Sequence, residues 1–154
     1  MIKVLFLCHG NICRSPMAEF VFRDMVRRRG LSDQVETASA ALHRDAIGCP
    51  PHRGTREKLA QAGISTAGKV AVLARREDYE RYDYLIGMDE ANRADMRRLF
   101  GPDPCGKIHL LLDFTSHPRD VADPWYTHDF EATWQDINAG CDALLTHILA
   151  HPAP

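Results

Sequence analysis

The chain is short of several things, and each absence narrows what it can be. No apolar run approaches the roughly 20 residues that a bilayer-spanning helix needs, so no membrane partner is expected. The N-terminal run Ile2–Leu7 is brief and lacks a small-residue cleavage site after it, so it reads as a strand and not as a signal peptide. No C-x-x-C pair occurs. The five cysteines, at 8, 13, 49, 105 and 141, are odd in number and scattered. That argues against a secreted disulfide framework and against a zinc site, and for a reducing, cytoplasmic setting. An excess of charge is missing as well: 19 Lys and Arg against 21 Asp and Glu leave a net charge of −2, which gives no reason to expect nucleic acid. There is no internal repeat, low-complexity segment or linker. With 154 residues, 45% of them hydrophobic, the chain predicts one globular domain over 1–154.

What is present is concentrated at the start. Ile2–Leu7 is a continuous apolar run, as a buried strand would be, and Cys8 stands where it ends. Gly10 and Asn11 tolerate left-handed backbone angles and let the chain curl. Ser15 followed by Pro16 predicts a helix start, with Ser as N-cap and Pro at the first helical position. A cysteine and an arginine, Cys8 and Arg14, therefore face each other across a short loop that opens a helix. Such a loop converges backbone N–H groups on one point, and the helix N-terminus adds positive potential. Arg14 can grip two phosphate oxygens through its planar fork. The same field favours a thiolate at Cys8, placed to attack phosphorus.

The remaining pattern predicts a helix over 16–29, ended by Gly30, with Arg27–Arg29 complementing its negative end. A strand at 34–39 and a loop over 40–51 follow, then a helix at 55–62. The stretch 64–74 is ambiguous, and 75–82 is expected as a helical turn. A strand over 83–88 leads to a helix N-capped by Asp89 and running to Phe100. A strand over 107–112 follows, then a long connection, 113–127. The final helix, 129–150, repeats apolar residues at Phe130, Trp134, Ile137, Cys141, Leu144 and Ile148. Strands alternating with helices predict an α/β three-layer sandwich: a central four-stranded parallel sheet with helices on both faces and the phosphate loop after the first strand. In such sheets the site lies beyond the carboxyl ends of the strands, which is where Cys8, Asp89 and Asp113 fall.

Taken together, Cys8-x5-Arg14-Ser15, the Gly10-Asn11-Ile12-Cys13 interior and the Ser15-Pro16 exit resemble the low-molecular-weight protein tyrosine phosphatase family. Segments 2–19, 37–41, 83–92 and 123–126 carry the resemblance most strongly. It implies phosphotyrosine hydrolysis through a phosphocysteine intermediate, with no metal and no cofactor. Cys8 would be the nucleophile and Arg14 the phosphate clamp, with His9, Gly10, Asn11, Ile12, Cys13 and Ser15 completing the phosphate loop. Asp123-Pro124-Trp125-Tyr126, in the connection before the last helix, is similar to the family's general-acid loop. By itself Asp-Pro is a common turn start; beside the N-terminal loop it is read as the acid Asp123 with Trp125 and Tyr126 as an aromatic pocket wall. The resemblance also implies that Ser15 donates to the Cys8 sulfur, that Asn11 fixes the loop, and that Cys13, otherwise an ordinary buried cysteine, can form a protective disulfide with Cys8.

Several positions depart from the family pattern. Asp45, with His43 and Arg44 beside it, stands where an aromatic second wall is usual, and His9 is expected at the pocket mouth. The stretch Gly48–Arg53 is altered, and Gly68 stands where many relatives carry a histidine that supports the loop asparagine. Ile12 favours tyrosine over phosphoarginine, whose phosphatases carry threonine there. A thiol-coupled arsenate reductase would need a later cysteine pair, and only the distant Cys105 and Cys141 are available. A non-catalytic phosphate-binding module would be expected to lose Cys8 or Asp123. The partner implied is a phosphotyrosine-bearing protein, a tyrosine kinase among the candidates, acted on by a monomer.

Overall fold

The computed structural model describes residues 1–152. Four strands, β1 (Ile2–Cys8), β2 (Val35–Ala41), β3 (Tyr84–Gly87) and β4 (Ile108–Leu110), form one sheet in the order β2-β1-β3-β4. Every pairing is parallel, with Cys8 opposite Ala41 at one end of the β1–β2 ladder. Among the described residues there are also six α-helices: α1 (Arg14–Arg28), α2 (Arg53–Gln61), α3 (Asp78–Arg81), α4 (Glu90–Phe100), α5 (Pro124–Thr127) and α6 (Phe130–Ala150). None of these helices is long and apolar enough to cross a membrane.

The strand period of two divides the apolar residues of β1 between two cores. Val4, Phe6 and Cys8 pack with Met17, Val21, Phe22 and Val26 of α1 and with Ile137, Cys141, Leu144 and Ile148 of α6. Leu5 and Leu7 face the other way, onto Tyr79 of α3 and Met96 and Phe100 of α4. This is the three-layer α/β sandwich that the alternation of elements predicts. The final helix follows its apolar spacing closely. It approaches the chain at Leu111 so tightly that a Cβ on Gly140 would lie 2.5 Å from Leu111 Cγ.

Four local expectations are corrected. The first helix begins at Arg14, two residues early, with Cys13 at its N-cap position. Ser15 therefore lies inside the first turn, and its hydroxyl is spent on Cys8 and not on capping. Asn11 is left-handed at φ 59°, but Gly10 has no positive φ, so one residue and not two makes the curl. The fourth strand stops at Leu110. Leu111 and Leu112 turn off into a 3-10 helix, Leu111–Phe114, because the Asp113 carboxylate accepts from Leu110 N–H at 3.0 Å and pulls the chain round. Asp113 is thereby engaged, and it also pairs with Arg93 at 3.1 Å, away from the phosphate loop.

The ambiguous stretch 64–74 is irregular, with a turn at 67–68, and meets the free edge of β2 at one bridge, Ala41 to Leu73. Further down that edge the outward carbonyls are taken by side chains. Arg23 Nη2 donates to Thr37 O at 2.9 Å, and Lys69 Nζ donates to Ser39 O at 3.2 Å.

Candidate active site

The loop between β1 and α1 is tied to its surroundings on every side. Leu42 N–H and His43 N–H continue the ladder past the strand end, donating to Cys8 O and His9 O at 2.9 Å each. From the other side His52 N–H donates to Ile12 O at 2.7 Å, and Thr55 Oγ1 to Cys13 O at 3.0 Å. A loop held this way presents a fixed set of groups to whatever enters it. The Cys8 sulfur, buried at 3% exposure, lies 3.0 Å from Ser15 Oγ and accepts from Ser15 N–H at 3.4 Å.

Behind the loop the buried Asn11 amide branches. Its Nδ2 donates to Ser15 Oγ at 2.8 Å and to Ser39 Oγ at 2.9 Å, and its Oδ1 accepts from Val72 N–H at 3.2 Å. Gly68 offers no side chain here; the support for Asn11 comes from the two serines and the Val72 amide.

Arg14 is almost fully buried, at 2% exposure, and is gripped from behind. Its Nη1 donates to Asp89 Oδ2 at 2.7 Å and to Val121 O at 2.8 Å. Its Nη2 lies 3.4 Å from Asp123 Oδ2. Its Nε, equally buried, has no hydrogen-bond partner among the described residues. Burial works against the guanidinium charge, but the Cys8 sulfur, Asp89 and Asp123 outweigh it and hold the Arg14 pKa above its ordinary value. Asp123 is the N-cap of α5, its Oδ1 accepting from Trp125 N–H at 3.1 Å, with Pro124 at the first helical position. The turn-starting role of Asp-Pro and the placement of a carboxylate beside Arg14 are thus the same geometry. Cys13 is a different kind of cysteine: burial first, then the neighbouring Cys8 and Asp123, push its pKa up to about 12 despite Arg14, so it stays a neutral thiol near neutral pH.

These groups open on a cavity of about 520 Å³. Of the residues predicted for the site, Cys8, His9, Gly10, Ile12, Cys13, Arg14, Asp45, Asp123, Trp125 and Tyr126 line it. Asn11 and Ser15 do not; they stand behind the loop. Trp125 and Tyr126 are exposed at 56% and 78% and form one side of the mouth. Elsewhere the lining has no further Trp, Tyr or Phe among the described residues; His9 and Asp45 stand there, and His43, outside the lining, stacks on His9. The His9 and His43 rings lie 4.1 Å apart and 18° from parallel. Each holds a carboxylate: His9 Nε2 to Asp45 at 2.5 Å, His43 Nε2 to Asp95 at 2.8 Å. The His9 hydrogen bond holds Asp45 below the usual carboxylate range.

Sequence reasoning misses two participants and half the role of a third. Asp89, expected at the strand ends as a helix cap, is one, accepting from Asn92 N–H through Oδ1 at 2.8 Å; its other oxygen holds Arg14. Val121 O has no signature in sequence. Asp95 lines the cavity from mid-helix in α4, with only its spacing from Asp89 to hint at it.

Comparison with known proteins shows what the whole chain is similar to. A sequence model described as low molecular weight phosphotyrosine protein phosphatase matches residues 3–152. The chain is 44% identical over 150 residues to the low molecular weight protein-tyrosine-phosphatase YfkJ of Bacillus subtilis, covering 96% of each. The crystal structure of that protein superposes with a TM-score of 0.96 at 42% identity, over 99% of this chain and 98% of that one. The low molecular weight protein tyrosine phosphatase of Streptococcus pyogenes gives a TM-score of 0.86 at 36% identity, over 98% and 99%.

Proposed function

The chain belongs to the low molecular weight phosphotyrosine protein phosphatase family, and from that premise we propose that it hydrolyses phosphotyrosine in proteins, and small aryl phosphates, through a phosphocysteine at Cys8. The observation that carries this reading is the unpartnered, buried Nε of Arg14. A buried N–H without an acceptor is costly, and a phosphoryl oxygen in the cavity would satisfy it while a second oxygen meets Nη2. Asp89 and Val121 O, by occupying Nη1, leave Nε and Nη2 to meet the ligand, with Asp123 beside Nη2.

The Cys8 sulfur attacks phosphorus as the bond to the tyrosyl oxygen breaks. Asp123, capping α5 with one oxygen and lying beside Arg14 with the other, gives its proton to the departing oxygen, so that a phenol leaves and not a phenoxide. A water then attacks the phosphocysteine, its proton passing to Asp123. The S–P bond breaks, phosphate leaves, and the Ser15 hydroxyl at 3.0 Å stabilises the released thiolate. Trp125 and Tyr126 offer an apolar face to the aryl ring.

Two substitutions test the scheme. Cys8→Ser abolishes aryl phosphate hydrolysis; surviving activity ends the proposal. Asp123→Ala slows tyrosyl phosphate by about 100-fold, in the usual range for a general acid, but slows a nitrophenyl phosphate much less, because that leaving group needs little protonation. Equal losses on the two substrates remove Asp123 from the role of acid.

A further inference from the structure

Behind the phosphate loop lies a charged cluster that this reaction does not use. Glu19, on α1, is buried with its side chain 6% exposed. Its Oε1 accepts from Ser39 Oγ at 2.5 Å and lies 3.1 Å from Lys69 Nζ. Its Oε2 takes the Arg23 guanidinium. Lys69, 14% exposed, also reaches Ser39 O.

Counting protons gives this cluster a direction. The Val72 N–H can only donate, so the Asn11 atom facing it is the oxygen, and both N–H bonds of the amide point to Ser39 Oγ and Ser15 Oγ. Each serine oxygen is then an acceptor from Asn11, and each has one proton left to place. A carboxylate only accepts, so Ser39 gives its proton to Glu19. Ser15 gives its proton to the remaining neighbour, the Cys8 sulfur. One chain of hydrogen bonds thus runs from a buried carboxylate at one end to the sulfur at the other, and such chains polarise along their length.

We propose that Glu19 and Lys69, the cation on the same oxygen that Ser39 meets, are a positioning pair for the nucleophile, with Arg23 holding the other oxygen. The carboxylate holds Ser39 as an acceptor, Ser39 and Val72 hold the Asn11 amide, and Asn11 commits the Ser15 proton to Cys8. Lys69 holds the carboxylate oxygen that accepts from Ser39, and its second bond, to Ser39 O, fixes the strand that presents Ser39. Neither residue touches the cavity. The proposal rests on Cys8 being the nucleophile.

The test uses the full chain with Glu19→Gln, Lys69→Met and Lys69→Arg. Gln keeps the size of Glu but adds two N–H donors, so Ser39 loses its fixed acceptor. On an aryl phosphate, kcat for Glu19→Gln and Lys69→Met falls about tenfold, the worth of one charge-assisted hydrogen bond, while KM stays near wild type. Inactivation by iodoacetate at about pH 6, which reads the thiolate and not turnover, slows in parallel. Lys69→Arg restores both rates. Folded variants with lowered Tm but wild-type kcat and wild-type alkylation overturn the proposal, leaving only a structural ion pair. If Glu19→Gln does not fold, the two Lys69 variants decide the matter by the same readings. Activity that survives Cys8→Ser instead overturns the nucleophile assignment and this proposal with it. Dependence on Cys8 with an unmoved alkylation rate in the variants overturns this proposal alone.

Discussion

Arg14 owes its aim to residues far from it in sequence. Asp89 divides its two oxygens, one capping α4 and one on Arg14 Nη1, so the two roles can be separated. Asparagine caps a helix about as well as aspartate but offers Arg14 no charge. Asp89→Asn is expected to lower kcat/KM about tenfold, as loss of a charge-assisted hydrogen bond does, while Tm changes by no more than a few degrees. A large fall in Tm with unchanged kcat/KM contradicts that division. Legibility differed sharply between such residues. Cys8, Arg14 and Ser15 lie within one short motif and Asp123 within another, so that they come together can be read locally. The second oxygen of Asp89 and the whole of the Glu19 cluster act on partners that only the fold brings near. Their local signals, a helix cap and an amphipathic helix face, leave nothing over to suggest a further use. Gly10 misled in the opposite direction: glycine permits a positive φ, and here the loop needed it only at Asn11.

Among the elements, α1, α4 and α6 and strands β1 and β3 are legible because their apolar spacing repeats over several turns or through a continuous buried run. The end of β4 is not, because Leu110, Leu111 and Leu112 are all buried. An apolar run reads the same whether it stays in the sheet or turns into a 3-10 helix, and the turn is decided by Asp113 and Leu110 N–H. The close approach of α6 to that turn gives a test at this scale. A methyl on Gly140 meets the Leu111 side chain, so Gly140→Ala, although it favours helix intrinsically, is expected to destabilise by about 1–3 kcal/mol through overpacking. That lowers Tm by several degrees in a scanning calorimeter. A raised Tm would mean that helix propensity prevails over packing there.

For the molecule as a whole, an aromatic cluster outside the cavity lining carries its own dependence on pH. His109 and His147 sit with Tyr84 and Phe114 in an aromatic cluster, and His147 stacks on His151. Burial lowers the pKa of His109, and burial followed by repulsion from His151 and His109 lowers that of His147. Above about pH 6.5 both histidines are neutral folded or unfolded, and nothing is lost. As pH falls below that value the unfolded chain takes up protons that the folded one resists, so stability falls, until the folded pKa values are passed. Tm is expected to drop between pH 7.5 and 5.5, and His147→Asn should flatten the drop; an unchanged slope in that variant assigns it elsewhere. The outer edge of β2 has a consequence of another kind. Its Thr37 and Ser39 carbonyls are stopped by Arg23 and Lys69, and a carbonyl already occupied cannot template a strand from a neighbouring molecule. Shelf life and solubility at high concentration therefore draw on the same two cations that steady Glu19, and a Lys69 variant made to probe turnover will also show whether the chains begin to stick together.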